Sequence, residues 1–476
     1  MYLFRLRYKC VVVAQLVVGL LLITSCNKLL DAGSPTDKVT TPQVYTSDSL
    51  AQAALIGVYY KMMISFGPFN GYMSRYCGLA ADELNRVTTL ETDNPFLTNI
   101  IPVDNATILQ FWTNIYLYIY QCNDLIEGLN GSKSLTPTLK NQLLGEAYFL
   151  RAFSYFYLVN LFGDVPLITS TDYTKNATKP RTPVAEVYDQ MIEDLNTAQG
   201  LLTDKYVTTT DSSIRVRVNR LATKALLARV YLYNEKWANA AAEATAVIES
   251  GIYQLETDLA QTFRYRSKEA ILQFMTIMDA YNTAEGGYFV PVVPNGRPPF
   301  FLSDTLMKKI EAGDARRLWI RTVTSGGKQY NSPYKYKLNT NTPREEYNMV
   351  LRLAEQYCIR AEARAMLDQL PDAVSDLNKV RKRAGLPDLT TITIQDQALA
   401  AIEQERRIEF FAEWGHRWFD LKRLPARTAT HPGEKRIEEV MPLCRPTTWK
   451  PTAALWPIPK DEIIRNPALI QNDGYN

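Results

Sequence analysis

Aromatic side chains are concentrated in two segments of the chain, 66–104 and 253–344, that lack helical periodicity. The first segment adds a carboxylate, an amide and a guanidinium in the run Asp82-Glu83-Leu84-Asn85-Arg86. Sugar rings present flat faces of C–H groups between hydroxyls, so rigid aromatic platforms beside such polar groups suit a saccharide site. The alternative is that each ring packs its loop onto the rest of the protein. The predicted ligand-binding residues are Tyr72, Asp82, Asn85, Arg86, Tyr281, Tyr288, Trp319, Tyr330 and Tyr334.

A charged block near the C-terminus is the second candidate for chemistry. It contains Glu403, Glu405, Arg406, Arg407, Glu409 and Glu413. Glu403 and Arg407 are four residues apart, which is the spacing of an ion pair along one helix face, so we predict a structural role. Glycoside hydrolysis needs two carboxylates that face each other at ~5 to 9 Å, a distance that sequence spacing does not establish.

Other enzymatic signals are missing from the sequence. There is no Gly-x-Ser-x-Gly elbow, no His-Glu-x-x-His zinc motif and no phosphate-binding or calcium-binding loop. Only two histidines occur, His416 and His431, which leaves little material for a histidine triad or a metal centre. We therefore predict no catalytic residue, no cofactor and no metal site.

The first residues resemble a bacterial lipoprotein signal. Arg5, Arg7 and Lys9 precede an apolar run at 10–23, which is shorter than the ~20 residues of a membrane span. Ile23-Thr24-Ser25-Cys26 resembles a lipobox, which implies cleavage before Cys26 and lipid attachment to its thiol. The alternative is an ordinary signal peptide with an incidental cysteine. We predict a signal peptide at 1–25 and a lipidated tether at 26–48.

Composition limits the remaining classes of function. Removal of the leader would leave 50 basic and 50 acidic residues, so the chain lacks the basic excess of a nucleic-acid-binding protein. No later stretch is apolar enough to span a bilayer, and the predicted membrane connection is therefore the lipid. Cysteines 77, 122, 358 and 444 show no paired spacing; Cys122 and Cys358 continue apolar helical series and are predicted core residues.

Helical periodicity predicts the elements that must position these residues. The predicted helices are 50–64, 107–129, 139–162, 183–202, 219–233, 237–250, 348–367, 372–384 and 393–414. Ala228 and Ala240 are twelve residues apart, as are Ala361 and Ala373, and a glycine follows each pair, at 251 and 385; the alanine spacing matches positions of the tetratricopeptide consensus. The sequence predicts a mainly α protein with a helical-repeat scaffold and two long irregular insertions.

Several short runs, in a fixed order, resemble the SusD/RagB family. They include Phe-Trp-Thr-Asn-Ile-Tyr at 111–116, Gly-Glu-Ala-Tyr-Phe-Leu-Arg-Ala at 145–152, Leu-Phe-Gly-Asp-Val-Pro-Leu at 161–167, Ala-Leu-Leu-Ala-Arg-Val-Tyr-Leu at 225–232, Glu-Arg-Arg-Ile-Glu-Phe at 405–410, Arg-Trp-Phe-Asp-Leu-Lys-Arg at 417–423, Leu-Trp-Pro-Ile-Pro at 455–459 and the closing run at 466–475. Asp473 stands where proline is commoner. The resemblance covers nearly the whole chain after the leader, including the predicted body at 49–476.

The resemblance implies a star-shaped helical fold with four tetratricopeptide-like helix pairs and no catalytic residues. It implies a cell-surface outer-membrane lipoprotein that binds a nutrient and delivers it to a SusC-like TonB-dependent transporter. A glycan is the expected ligand, and a peptide, as in RagB-like members, is the alternative. A surface glycosidase and a purely structural repeat adaptor are further alternatives. The segment before Phe111 has no tryptophan, which puts a simple starch-type aromatic arc in doubt.

Overall fold

The computed structural model describes residues 41–88, 90–207, 211, 213–293, 296–428 and 430–475, so the predicted signal peptide and Cys26 lie outside the described residues. The helices, α1 to α18, are Thr41–Val44, Asp48–Met63, Gly78–Ala80, Asn94–Thr98, Ala106–Gly131, Pro137–Phe162, Tyr173–Asn176, Val184–Leu201, Arg220–Tyr233, Trp237–Ile248, Ala284–Phe289, Asp304–Met307, Leu353–Met366, Leu370–Arg383, Gln395–Glu409, His416–Arg423, Arg436–Cys444 and Lys460–Arg465. Met73–Cys77 is a π-helix, and Leu259–Gln261, Ala315–Trp319 and Pro451–Ala454 are 3₁₀ helices. The chain is mainly α, which confirms the predicted fold class.

In the described part of the chain, six short strands form three antiparallel pairs. The strands, β1 to β6, are Leu84–Arg86, Ala270–Phe274, Phe300–Leu302, Ile320–Ser325, Lys328–Pro333 and Asn348–Arg352. β1 pairs with β3, β2 with β6 and β4 with β5. All but β6 lie within the two insertions that the sequence marked as irregular, so these insertions contain short strands beside short helices.

The long helices form a continuous stack in which each packs on a neighbour. Helix α5 packs on α6, α6 on α8, α8 on α9 and α9 on α10. Helix α10 then packs on α13, and α13 packs on both α14 and α15. Stacked helix pairs of this kind are the architecture that the tetratricopeptide-like spacing predicts.

Small residues lie at the helix crossings, as their spacing predicts. Ala228 and Ala240 are fully buried in one cluster with Ala363, and Ala361 and Ala373 are buried in a second cluster. The glycines that follow each pair, at 251 and 385, have φ of 70° and 75°, the left-handed conformation that ends helices. The repeat prediction is therefore confirmed.

Two predicted helix boundaries are wrong. The segment 348–367 begins with strand β6, and the helix starts only at Leu353. Because β2 and β6 are buried along their whole length, they lack the alternation that distinguishes a half-exposed strand from a buried helix. The predicted helix 393–414 ends at Glu409, since Ala412 and Trp414 have φ of 52° and 46°, which is incompatible with a right-handed helix.

The C-terminal segment caps the 26-residue helix α6. The last turn of a helix leaves carbonyl groups without partners inside the helix. Here the carbonyl of Leu161 accepts from the backbone N–H of Trp456 at 2.9 Å, and the carbonyl of Phe162 accepts from the Asn472 amide at 2.8 Å. These contacts give a structural reason for the runs around 456 and 472.

Buried ion pairs attach the second insertion to helix α15. The Arg316 guanidinium lies 2.5 Å from a Glu405 carboxylate oxygen and 3.0 Å from one of Glu409. Arg352 contacts Glu409 and also Glu413. The charged block is structural, as predicted.

The pairing predicted within this block is nevertheless wrong. Glu403 lies 2.8 Å from Arg417, and Arg407 lies 2.6 Å from Asp82. Both side chains are nearly buried and point to partners outside their own helix. Tertiary contacts therefore replace the expected pair along the helix surface.

The packed body begins inside the predicted tether. The Tyr45 hydroxyl donates to the Asp124 carboxylate at 2.8 Å, and the ring is buried. It lies so close to helix α5 that a Cβ on Gly128 would be 2.0 Å from the ring. The ordered body therefore includes residues before position 49.

The described cysteines are all free. Cys122 and Cys358 are buried, which confirms their prediction as core residues, and Cys77 is buried as well. Cys444 is half-buried. Within the described ranges, no helix has the length and apolar character needed to cross a bilayer.

Candidate ligand-binding site

The ribbon of β1 and β3 organises the loop face of the protein. Asn85 lies opposite Phe301 in the register, and Arg86 lies opposite Phe300. Because successive side chains of a strand point to opposite faces, these two cross-strand pairs lie on different sides of the ribbon. The ribbon therefore divides the predicted site residues into two groups.

The first group, here called the aromatic cluster, consists of Phe66, Tyr72, Arg75, Tyr281 and Tyr288. The Phe66 ring stacks on Tyr288 with centroids 4.5 Å apart, and it lies 5.8 Å from Tyr281. The Arg75 guanidinium lies 4.8 Å from the Tyr288 centroid. The structure thus brings together three predicted tyrosines from both insertions.

The Tyr288 ring contacts two neighbouring side chains. Phe66 stacks on its ring and the Arg75 guanidinium also lies over it. Burial raises the pKa of its hydroxyl, in spite of the nearby arginine. Gly71 allows this close packing, because a Cβ there would lie 2.8 Å from the Tyr288 ring. Tyr288 and Phe66 are both half-buried, so Tyr288 stays a predicted ligand residue whose ring already contacts two neighbours.

Tyr281 and Tyr72 remain half-buried at the surface. The Tyr281 ring packs flat on Gly287, where a Cβ would lie 3.0 Å from ring atoms, so one ring face is covered. The Tyr72 hydroxyl donates to the Gln110 side chain at 3.0 Å. These two rings stay candidates for ligand stacking.

Arg86 is largely engaged within the protein. Its guanidinium lies 4.8 Å from the Phe300 centroid, contacts Asp93 and donates to the Thr88 carbonyl at 2.7 Å. Arg75 binds the other oxygen of the fully buried Asp93 carboxylate at 2.6 Å. Two arginines that share one carboxylate hold Asp93 in place. Arg86 therefore supports the site more than it contacts a ligand.

Asp82 belongs to the scaffold, although it lies at the base of a cleft. Its side chain is 4% exposed and binds Arg407 at 2.6 Å and Arg417 at 2.7 Å. Burial opposes its ionisation, but the two arginines outweigh burial and lower the pKa of Asp82 to about 2. The prediction of Asp82 as a ligand partner is corrected, because its carboxylate already has two guanidinium partners.

Trp319 is fully buried, which overturns its prediction as a ligand platform. Its indole N–H donates to the Leu259 carbonyl at 3.0 Å. Phe263 packs edge-on against the ring, and the Lys335 ammonium lies 5.0 Å from its centroid. Trp319 therefore fastens the second insertion to the core.

Tyr334 lies apart from both groups. It is half-buried, and the Arg321 guanidinium lies 5.5 Å from its ring centroid. The structure does not bring it to the aromatic cluster or to the cleft described next.

The second group lines a cleft between the β1–β3 ribbon, the β4–β5 hairpin and the end of helix α17, here called the hairpin cleft. Its volume is about 340 Å³, within the usual range for small-molecule sites. Phe301 supplies a half-buried ring, and Tyr330, only 8% exposed, packs edge-on against it at 5.5 Å. The charged and amide side chains of the lining are Asp82, Asn85, Asp304, Lys328, Gln329, Asn331 and Arg445.

Sequence reasoning missed several residues of these two groups. Phe66, Arg75 and Asp93 become visible only through their tertiary contacts. Lys328 follows Gly326-Gly327, a pair typical of a two-residue hairpin turn, and this signal could have located the β4–β5 hairpin. Phe301 lies in the aromatic-rich segment 253–344, but the sequence did not distinguish it from the other rings there.

The cleft does not present a catalytic pair of carboxylates. Its acidic side chains are Asp82 and Asp304, and the first is held ionised by two arginines. A general acid needs a pKa near the working pH, which Asp82 does not have. Among the residues that the structure describes, no group of three histidine, cysteine or acidic side chains could hold a metal ion.

Comparisons with known proteins agree with this architecture. A SusD-like protein of Formosa agariphila is 26% identical over 97% of this chain and 98% of its own length. Two solved structures share the fold: a SusD superfamily protein of Bacteroides vulgatus, with TM-score 0.77, 20% identity and coverage of 90% and 99%, and the surface glycan-binding protein A of Bacteroides uniformis, with TM-score 0.76, 22% identity and coverage of 89% and 99%.

Two family descriptions match long parts of the chain. Residues 30–232 match the family described as starch-binding associating with outer membrane. Residues 186–475 match the SusD family, so well over half of the chain, including its stacked helices from α9 onward, fits one family. The chain belongs to the SusD family.

Proposed function

We propose that this protein binds a glycan in the hairpin cleft and passes it to a SusC-like TonB-dependent transporter, as a non-enzymatic lipoprotein on the cell surface. The cleft geometry is the observation that carries the proposal. It combines one aromatic face with side-chain amides and a carboxylate in a cavity of about 340 Å³. Saccharides need this combination of a flat apolar face and hydrogen-bonding groups around it.

Two amides of the cleft are available to a ligand. The side chains of Asn85 and Gln329 make no hydrogen bond with another residue of the described chain. An amide offers both a donor and an acceptor, which suits vicinal sugar hydroxyls. Phe301, the cross-strand partner of Asn85, lines the same cleft and supplies the apolar contact. A ligand here would find unused hydrogen-bonding capacity beside a ring.

The aromatic cluster on the opposite side of the ribbon extends the proposed binding surface. Tyr281, Tyr72 and Phe66 are each half-buried. A long glycan that passes over the ribbon would meet these rings after it leaves the cleft.

The absence of catalysis is part of the proposal. The charged block of helix α15 is consumed by ion pairs with Arg316, Arg352 and Arg417. Asp304 is the exposed acid of the cleft, and the other acid in its lining is bound by two arginines. Hydrolysis by two carboxylates would require a second free acid across from Asp304.

The cleft does not support two further parts of the proposal, lipid attachment at Cys26 and delivery to a transporter, which rest on the sequence and the family match. The lipobox-like run precedes the described body, and the family match from residue 30 carries an outer-membrane description. Family membership supports the SusC-like partner. The glycan-binding name of a structural neighbour concerns that protein and agrees with the ligand class proposed here.

Calorimetric titration of the chain from residue 27 with neutral and acidic oligosaccharides and with peptides tests the ligand class. Replacing Asn85 or Gln329 with Ala should weaken glycan binding several-fold, because each removes a hydrogen bond of about 0.5 to 1.5 kcal/mol. Asn130→Ala, an exposed amide on helix α5, is the matched control and should leave binding unchanged.

Three outcomes would contradict the proposal. Peptides that bind while all oligosaccharides fail would favour the RagB-like alternative. Cleavage of the bound glycan, detected by chromatography of the same samples, would show an enzyme. If neither cleft variant changes the affinity for glycan, the hairpin cleft is not the binding site.

A further inference from the structure

Two cationic side chains line the hairpin cleft without a carboxylate partner in the described part of the chain. Lys328 lies in β5, and Arg445 follows the end of helix α17. The Lys328 ammonium lies 5.3 Å from the Phe301 centroid and 5.4 Å from that of Tyr330. These two rings hold its charge at the cleft through cation–π contacts, which do not neutralise it.

Arg445 is bound only by neutral groups. Its guanidinium donates to the backbone carbonyl of Cys444 at 3.0 Å and to that of Leu79 at 3.2 Å. Its Nε is buried and has no partner among the described residues. Burial lowers the pKa of Arg445, and the nearby Asp82 carboxylate, which is bound by two other arginines, offsets this effect only in part.

Other buried arginines of the scaffold are neutralised differently. Arg229 binds the Glu355 carboxylate through two nitrogen atoms, at 2.6 and 2.7 Å. Arg417 binds the Asp82 carboxylate at the base of the cleft, as described above. A charge that is partly buried without a direct partner is costly, so a cleft arginine that binds no carboxylate is positioned to accept an anion from outside.

The remaining acid does not cancel the two cations. Asp304 is exposed in the cleft lining and forms no ion pair within 4.0 Å among the described residues. Asp82 is shared by Arg407 and Arg417, so its charge is already offset. The cleft therefore keeps an excess of positive charge beside the ring and amides that suit a sugar.

We infer that the glycan bound in the hairpin cleft carries an acidic group, a uronic carboxylate or a sulfate ester, that lies between Lys328 and Arg445. This inference rests on the proposed glycan-binding function and narrows its substrate class. Guanidinium and ammonium groups form short charge-assisted hydrogen bonds with such oxyanions. The amides of Asn85 and Gln329 then bind the hydroxyls of the same or the next sugar.

The test compares three oligosaccharide panels of equal length, neutral, uronate-containing and sulfated, by titration calorimetry at two salt concentrations. We expect at least one acidic panel to bind about tenfold or more tightly than the neutral one, since a hydrogen bond to a charged group contributes about 1.5 to 3 kcal/mol. The preference should shrink at high salt because screening weakens it. The uronate and sulfate panels distinguish the two sources of negative charge.

Lys328→Met should abolish most of the acidic preference while it retains the packing on Phe301 and Tyr330. Lys337→Met is the matched control, because Lys337 also lies over a tyrosine ring, 5.8 Å from that of Tyr334, outside the cleft. Arg445→Gln is the second variant; Lys328, which is exposed, keeps the test valid if that variant does not fold.

The outcomes separate this inference from the proposed function. Equal binding of neutral and acidic panels, or an acidic preference that survives Lys328→Met, overturns the inference and leaves glycan binding intact. Failure of every panel to bind overturns both.

Discussion

Individual residues determine which rings of the loop face can contact a ligand. Sequence alone selected Tyr72, Tyr281 and Tyr288, and the structure places all three in one cluster although they come from two insertions. It could not show that Phe66 and Arg75 cover Tyr288, because the burial of a loop ring depends on distant contacts. Residue type therefore indicated which side chains could stack on a ligand, but the packing of the loops determines which of them a ligand can reach.

Gly71→Ala tests how tightly this cluster is packed. Gly71 has φ of 90°, and a Cβ there would lie 2.6 Å from the Cβ of Ala284 and 2.8 Å from the Tyr288 ring. Strain and overpacking should lower the free energy of unfolding by about 1 to 3 kcal/mol. Urea denaturation followed by circular dichroism measures the change.

Gly57→Ala is the control: it lies within helix α2 with no atom within 4 Å of the added Cβ, so it should be neutral or stabilising by up to about 1 kcal/mol. Equal effects of the two substitutions would contradict the packing described here.

Elements were predictable where one face of a helix is buried and the other exposed. Helix α6 begins at Pro137 and ends at Phe162, within two residues of the prediction. Strand β6 was missed because its burial on both faces removes the alternating pattern. The end of helix α15 was missed because the left-handed residues that follow it are alanine and tryptophan, which do not favour that conformation. Local sequence therefore defined the helices well and the short ribbons poorly.

The helix crossing at Ala240 leads to a prediction about helix packing. Ala240 is fully buried between helices α9, α10 and α13, in a cluster with Ala228 and Ala363. Ala240→Leu should lower the free energy of unfolding by about 1 to 3 kcal/mol, because the helices cannot separate without losing their other contacts. Thermal unfolding by calorimetry measures the effect. Ala238→Leu, at an exposed position of the same helix, is the matched control and should change stability little. A tolerated leucine at 240 would contradict close packing at this crossing.

The whole molecule is held together by contacts that no local pattern indicates. Asp82 and Arg417 are 335 residues apart, and Arg316 and Glu405 are 89 residues apart. The motif order and helix spacing predicted the scaffold, since these features repeat along the chain. The partners of the buried charges could not be predicted, because the loops that bring them together have no periodic signal.

Glu285 gives a pH prediction for the folded molecule as a whole. Burial raises the pKa of Glu285 to about 7, despite hydrogen bonds from Ser74 and Asn348. A carboxyl whose pKa is raised by folding stabilises the protein fully at low pH and loses this contribution as pH rises toward its folded pKa. Glu285→Gln should therefore gain stability relative to the native chain between pH 5 and 7, by up to roughly 1.4 kcal/mol per pH unit.

Urea unfolding of both proteins at several pH values measures this difference. The same substitution at exposed Glu91 controls for the loss of one negative charge. A difference between Glu285→Gln and the native chain that stays constant from pH 5 to 7 would show that Glu285 is not held in its neutral form.

Attachment of the molecule to the membrane is predicted to depend on Cys26. Arg5, Arg7 and Lys9, the apolar run at 10–23 and the run Ile23-Thr24-Ser25-Cys26 resemble a lipoprotein signal, and no described helix could anchor the body. Two or more acyl chains on one cysteine are enough for stable anchoring. Cys26→Ala should therefore move the protein from the membrane pellet to the soluble fraction. Cys10→Ala is the matched control, because this cysteine lies inside the predicted leader and its loss should leave the protein in the pellet. Immunoblots of fractionated cells, with mass spectrometry of the N-terminal peptide, measure both results. A Cys26→Ala protein that remains in the pellet would contradict lipid anchoring at this position, since the thiol is the attachment point that the signal requires.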